Sequence, residues 1–432
     1  MIKQISIQRL GINGEGIGHL DGMTLFVDGA LPGEVVDVQI YEQHKRYAHA
    51  KVVHYHTVSP HRKTPPCALF GKCGGCQMMH LEEKQQLETK RQRVLDALQR
   101  IGKLNVDVLS CIASPSALHY RNKIQLPIRG GGPLRIGLFA SNSHDLVEIE
   151  DCKIHCPLGD EAFQKVKMIL KNGEIPEGIL KTLLIKTAVS TRQVLVILVT
   201  QETSNLGTVA KEILSAMPEI KGVVQNIHDS SNNVILGKTF HTLAGQGFIE
   251  EKLCGLYFKV SPASFFQVNP AQAENLYQKA LQFADLKGEE KVLDAYCGVG
   301  TLSLIFAQKA KEVIGVECVA DAIQDAQENA RLNQVNNVRF ICEKAEDFIS
   351  TLKDVDVAVI NPPRKGCENS FLEKLSRLSP KRIVYISCDP ATLARDLAFL
   401  CSCGYKVDQV QPFDMFPQTA HVECVVKISK SS

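Results

Sequence analysis

The chain has 432 residues, 44% of them hydrophobic, with 49 Lys and Arg against 47 Asp and Glu for a formal charge of +2. That is enough chain for two or three buried cores, and too even a balance for bulk attraction to a polyanion, so only local basic segments could hold nucleic acid. No apolar run nears the ~20 residues of a membrane helix and MIKQISIQRL lacks a signal-peptide core; a soluble, cytoplasmic monomer with no membrane partner is expected.

Residues 1–58 read as a small β-barrel. Ile5, Ile7, Leu10 and Ile12 lead into the glycines of 14–18, then into alternating runs at 23–27 and 34–40. The segment 43–51 mixes Lys45, Arg46 and Lys51 with Tyr47. Such a face suits single-stranded nucleic acid, through backbone charge and base stacking, although a solvated strand edge carries the same residues.

A Pro-punctuated link at 59–66 enters Cys67-Ala-Leu-Phe-Gly-Lys-Cys73-Gly-Gly-Cys76. In a reducing compartment, the 15 cysteines read as metal ligands, nucleophiles or core residues rather than a disulfide framework. Three thiols this close, with two glycines to let the backbone wrap, are arranged for one metal centre. Cys152 or Cys156 must supply a fourth ligand, and Cys152 is preferred because it follows a strand-like stretch at 146–149. The spacing is neither that of a zinc ribbon nor that of a ferredoxin, so zinc and iron–sulfur stay open.

Residues 81–101 form a helix with Leu87, Val94, Leu98 and Ile101 on one stripe and Lys84, Lys90, Arg91, Arg93 and Arg100 on an exposed face. A loop at 129–132, strands over 182–189, 194–199 and 222–226, and helices over 160–172 and 206–216 make a central α/β domain, 59–265.

From Asn269 helices and strands alternate: helix 271–283, strand 291–295, helix 301–308, strand 312–316, helix 320–333, then strands at 338–341, 355–360 and 383–386. This is an α/β domain, 266–432, with a doubly wound parallel sheet. A hairpin of 405–410 and 422–428 adds an antiparallel edge. Asp294-Ala-Tyr296-Cys297-Gly298-Val-Gly300-Thr301 is a strand, a glycine turn and a helix start, where backbone can approach a ligand closely. Glu317 ends the next strand, the place of a ribose-binding carboxylate. Ser303 stands where a dinucleotide motif wants a third glycine, so an adenosine cofactor without phosphate, S-adenosylmethionine, fits better than NAD. Asn361-Pro362-Pro363-Arg364 ends the fourth strand in the same crevice. Cys388 follows the fifth, where Asp389-Pro390 enforces a turn into a helix. A thiol at the carboxyl end of a core strand is a candidate nucleophile, with Asp389 and Arg395 as candidate orienting groups. An inert cysteine ending a buried strand would look the same in isolation.

Taken together, these motifs resemble the RNA uracil-5 methyltransferases over nearly the whole chain, and most closely the members that act on 23S ribosomal RNA. The resemblance implies a Rossmann-like class I methyltransferase domain behind an RNA-binding TRAM barrel. It implies a 4Fe-4S cluster on Cys67, Cys73, Cys76 and Cys152, Cys388 as nucleophile and Glu423 of His421-Val-Glu423 as base. Gln267 of Ser264-Phe-Phe-Gln267, Tyr296, Glu317 and Asn361 would contact S-adenosylmethionine. Asn361 departs from the family's usual aspartate, keeping the acceptor oxygen but losing the charge. A tRNA uridine methyltransferase and a non-catalytic RNA-binding protein are the competing expectations.

Overall fold

The computed structural model describes every residue except 1, 131–133, 174, 177, 230–234 and 432, so the glycine loop expected at 129–132 lies largely outside the described residues. At the amino end, apolar–polar alternation puts Ile5, Leu25, Val27, Val36, Val38 and Ala50 in one small core. Six strands wrap it in the order Ile2–Ser6, Val35–Gln43, Tyr47–Thr57, Met23–Asp28, Gly16–Leu20, Arg9–Leu10. The segment 43–51 is divided, since Tyr47 opens the long strand Tyr47–Thr57, parallel to Met23–Asp28. Exposed Tyr47 stacks with His44 at 4.4 Å between ring centroids. Beyond the barrel, the link is pinned where buried Glu34 accepts Arg62 Nε at 2.6 Å and the Leu31 and Ser59 amides at 2.7 and 3.2 Å.

The central sheet has seven strands, in the order Thr239–Gly245, Ile220–Ile227, Gln193–Thr200, Leu180–Ala188, Lys123–Arg129, Arg135–Phe139, Leu146–Glu148. Helices Pro157–Asn172 and Gly207–Ala216 bury their apolar faces against it.

Helix Glu83–Arg100 belongs with the carboxy-terminal core, where Val94 and Leu98 join Leu393, Leu397 and Val426. Two readings of this helix are corrected. Lys90, expected in solvent, is fully buried, ion-paired with Asp414 and donating to Phe416 O at 3.1 Å. Ile101, expected on the apolar stripe, is 52% exposed. The buried line is Gln86, Lys90, Val94, Leu98 at i,i+4 spacing. Half of it is polar, with partners on a loop more than three hundred residues away, and a hydrophobic pattern cannot register that.

The carboxy-terminal sheet runs Val338–Cys342, Glu312–Glu317, Lys291–Ala295, Val357–Ile360, Arg382–Ser387, Glu423–Lys430, Tyr405–Phe413. The first five strands are parallel; Glu423–Lys430 is antiparallel and inserts between Arg382–Ser387 and Tyr405–Phe413. Val357–Ile360 and Ile383–Ile386 are wholly buried, as a sheet covered on both faces requires. Its parallel strands all present their carboxyl ends at one edge, where ligands bind in such folds. The antiparallel strand delivers its first residue, Glu423, to that same edge.

Candidate active site

Strand Lys291–Ala295 ends in a turn whose backbone is left-handed at Tyr296, Gly298 and Gly300 (φ +64°, +55° and +80°) before helix Thr301–Ala307 begins. Gly300 is required twice over, because a Cβ there would also sit 2.8 Å from Phe340 Cζ. Gly300→Ala should therefore lose about 1–3 kcal/mol of stability; urea unfolding measures it, and an unchanged midpoint would refute the argument. Glu317 faces this turn: its Oε2 accepts the Gly298 amide at 3.3 Å and its Oε1 the Cys318 and Val319 amides at 2.8 and 3.0 Å. Ser303, in place of a third glycine, donates to Asp294 at 2.6 Å. Asp294 is a group that sequence reasoning passed over. Burial pushes its carboxyl up to about 7, against the Ser303 hydrogen bonds, and its Oδ1 has no partner among the described residues. The signal for it was present: a carboxylate closing an otherwise apolar strand just before the glycine turn.

Asn361 leaves strand Val357–Ile360 beside this turn, its amide donating to Ala295 O at 3.4 Å. Tyr296 is half-buried; its ring packs on Phe371 with centroids 5.5 Å apart, and its hydroxyl donates to Glu346 at 2.9 Å. The phenol is thus occupied, leaving the ring and backbone to meet a ligand.

Cys388 lies one residue beyond strand Arg382–Ser387, half-buried at the same edge. The antiparallel register ends with Ser387 paired to Cys424, so Cys388 and Glu423 are the next residues of the two segments at this edge. Burial raises the Cys388 thiol, the Glu423 charge raises it further, and Arg364 lowers it. The positive charge that eases ionisation of the sulfur therefore comes from Arg364 of the Asn361–Arg364 loop, a role sequence reasoning did not give it. Neither expected orienting group serves in that way. Asp389 caps helix Pro390–Ser402, accepting the Ala391 and Thr392 amides at 2.8 and 3.0 Å. Arg395 donates to Lys365 O at 2.9 Å and Cys367 O at 3.2 Å, clamping the loop that carries Arg364.

Glu423 is 5% exposed, and burial pushes its carboxyl up to about 7. A hydrogen bond with the Gln267 side chain opposes that shift, while Oε2 has no partner among the described residues. Gln267, expected to contact the cofactor, lies near Glu423, its own backbone carbonyl held by Asn122 Nδ2 at 3.3 Å. An unpaired acceptor oxygen close to a thiol, with a glycine turn on the same edge, can move a proton at a substrate that the thiol holds.

Cys67, Cys73, Cys76 and Cys152 line one cavity of about 240 Å³ with Arg121 and His155. Cys156 is not there: it is buried at the start of helix Pro157–Asn172. The Gly75 amide donates to Cys73 Sγ at 3.3 Å, and burial with the neighbouring thiols pushes Cys76 far up. Among the described residues, no three His, Cys, Asp or Glu side chains are placed to hold a metal ion. That holds for a zinc ion and for a cluster alike, since each needs its thiolates at bonding distance from a metal. Four thiols around a cavity, one already accepting an amide, fit the donor set of an iron–sulfur cluster.

Comparison with known proteins follows this geometry. The family profile described as tRNA (uracil-5-)-methyltransferase matches residues 82–431, and that of the TRAM domain matches residues 2–53. A Clostridium tetani protein described as an uncharacterized RNA methyltransferase is 42% identical over 434 residues, 97% of this chain and 94% of its own. A Listeria innocua protein of the same description is 42% identical over 440 residues, 99% of this chain and 97% of its own. The crystal structure of Pyrococcus abyssi tRNA (uracil-54, C5)-methyltransferase in complex with S-adenosyl-L-homocysteine superposes with a TM-score of 0.78 at 28% identity, covering 99% of this chain and 100% of that one. Among the described residues no helix is long and apolar enough to cross a membrane.

Proposed function

Since the chain belongs to the tRNA (uracil-5-)-methyltransferase family, we propose that it methylates carbon 5 of a uridine in 23S ribosomal RNA through a covalent bond from Cys388 to the pyrimidine. What supports this reading is that the register ending at Ser387 and Cys424 leaves Cys388 and Glu423 as the next residues at the sheet's carboxyl edge, near enough for the Glu423 charge to act on the thiol. Carbon 5 of uracil is a weak nucleophile. Addition of the Cys388 thiolate to carbon 6 forms the C–S bond and pushes the ring electrons toward O4, leaving carbon 5 electron-rich. Carbon 5 takes the methyl group of S-adenosylmethionine, whose sulfur leaves uncharged. Glu423 then removes the carbon 5 proton, and that electron pair re-forms the double bond as the C–S bond breaks and the thiolate returns. Glu317 is suited to ribose hydroxyls, and Asn361 and the Tyr296 ring to the cofactor's remaining contacts. A uracil within folded RNA must be flipped out to reach both groups, and the barrel's stacked Tyr47 and His44 suit the flanking strand.

The donor set of the cysteine cavity suits a 4Fe-4S cluster held by Cys67, Cys73, Cys76 and Cys152, a feature that does not by itself separate ribosomal from transfer RNA. Anaerobically purified protein should be brown and contain iron, and Cys152→Ala should lose both colour and iron. A colourless wild-type protein without iron would remove the assignment. Transfer RNA is the second reading, favoured by the Pyrococcus abyssi enzyme, whose full length is matched here; the barrel therefore does not separate the two targets. Mass mapping of 5-methyluridine in ribosomal and transfer RNA, with and without this protein, decides between them. Loss at a 23S position is expected, and loss confined to transfer RNA would overturn the ribosomal target.

A further inference from the structure

The nine residues between strands Tyr405–Phe413 and Glu423–Lys430 form the loop that leads into Glu423. Most of what holds it is polar and comes from far away in sequence. At its centre Gln418 is 1% exposed, yet it adopts a left-handed backbone (φ +69°) that a side chain rarely tolerates. Backbone strain of this kind persists only where the surroundings fix it, and it gathers at functional sites. Every polar group of Gln418 has a partner. Its amide donates to Gln86 Oε1 at 3.1 Å, and its Oε1 accepts Gln86 Nε2 at 3.0 Å. Its Nε2 donates to Ala117 O at 3.2 Å. Its carbonyl accepts the amides of Gln77 and Met78 at 3.0 and 2.9 Å. Gln77 directly follows Cys76, so this one residue joins the cysteine segment, the helix Glu83–Arg100 and the loop before Glu423.

We infer that Gln418 is a positioning residue for Glu423: paired with Gln86, it fixes the path of the loop so that the carboxylate meets the carbon 5 proton. The inference rests on the reading of Glu423 as the base. Glu423 itself has little to hold it in place, with one side-chain partner, Gln267, and one unpaired oxygen. Its placement is therefore set by the backbone on either side. On the carboxyl side that is the strand register; on the amino side it is the Gln418 loop, which Lys90 also grips at Phe416 O and Arg93 at Ala420 O (3.1 and 2.6 Å). Cys388 stands on a different strand and shares none of these bonds, so loosening the loop should spare the addition step and harm the release step.

The test separates those two steps. In single turnovers on substrate RNA, Gln418→Ala and, independently, Gln86→Ala should form the methylated adduct within about threefold of the wild-type rate. Both should release product about 10–100-fold more slowly, the effect expected when a catalytic group is misplaced by about an ångström, with the KM for S-adenosylmethionine unchanged. The double variant should be slower by less than the product of the two single effects, because the bond between the Gln418 and Gln86 side chains is lost in both. Gln86→Ala alters nothing within the loop, so it keeps the test open if Gln418→Ala does not fold. Release at the wild-type rate would overturn the inference, and so would addition and release slowed equally, which marks a merely structural residue. If Glu423→Gln itself releases product normally, the base reading fails; if it traps the adduct and these variants do not, only the role of Gln418 fails.

Discussion

Replacing Cys388 with alanine is expected to abolish methyl transfer, a loss on the order of 10⁴-fold or more, as when an enzyme's nucleophile is removed. The covalent complex with 5-fluorouridine RNA should disappear with it. Fluorine at carbon 5 cannot leave as a proton does, so an enzyme that adds sulfur to carbon 6 is caught after methyl transfer; without the sulfur there is nothing to catch. The electrostatics add a second expectation. Burial and the neighbouring Glu423 charge hold the Cys388 thiol above its ordinary range, and Arg364 is the group that opposes them. The resting enzyme therefore keeps the sulfur protonated, and the arginine matters at the moment of attack. Arg364→Ala should slow adduct formation by a similar factor at every pH below the thiol's range, because the thiolate of both proteins falls in parallel there. Cys388→Ser should not rescue activity, because a hydroxyl is much harder to ionise. RNA binding by the two Cys388 variants, followed by gel shift, should stay within a few-fold of wild type. An adduct that survives in Cys388→Ala would place the nucleophile elsewhere.

The strands and helices from 269 onward were legible because two periodicities dominate them: wholly apolar strands such as Ile383–Ile386 and short helices between glycine and proline signals. The crevice was legible for the same reason, since the carboxyl end of each parallel strand could be read in order, and Glu317, Asn361 and Cys388 fall at three of those ends. What stayed hidden depends on contacts between distant parts of the chain. The buried ion pair of Lys90 with Asp414 spans 324 residues, and a lysine on an otherwise charged helix gives no sign of burial. Arg395 and Arg364 look alike in sequence; only the fold separates the first, which bonds the loop carbonyls, from the second, whose charge acts on the sulfur. That Gln267 lies beside Glu423 joins two segments far apart in the chain, a contact no local pattern shows. The register of the terminal hairpin was beyond reach for a related reason. Its second strand, Glu423–Lys430, lies inside the sheet and its first at the edge, and the two were nearly equally apolar in sequence.

Glu423→Gln should give the second large effect: addition and methylation proceed, release fails, and a methylated protein–RNA complex accumulates that survives denaturing electrophoresis. Turnover should fall by about 10²–10⁴-fold, the usual contribution of a positioned acid–base group. The wild-type pH dependence follows from the same carboxyl. Burial raises Glu423 to about 7 from an ordinary value of 4.5, and only the ionised form can accept the carbon 5 proton. Release should thus climb as pH rises through about 7 and level off above it, while Glu423→Gln shows no such limb. Stability should move the opposite way. An acid whose folded value lies above its unfolded one binds more protons when folded, so wild-type stability falls between pH 4.5 and 7 and stays lower above. The neutral amide avoids that cost. Glu423→Gln should be more stable than wild type at pH 8, by up to about 3 kcal/mol, with the gain fading toward pH 4.5. Urea unfolding at the two pH values measures this. Equal stability at pH 8 would mean that Glu423 is not the desolvated carboxyl on which its use as a base near neutral pH depends, and normal turnover by the variant would assign the proton to another group.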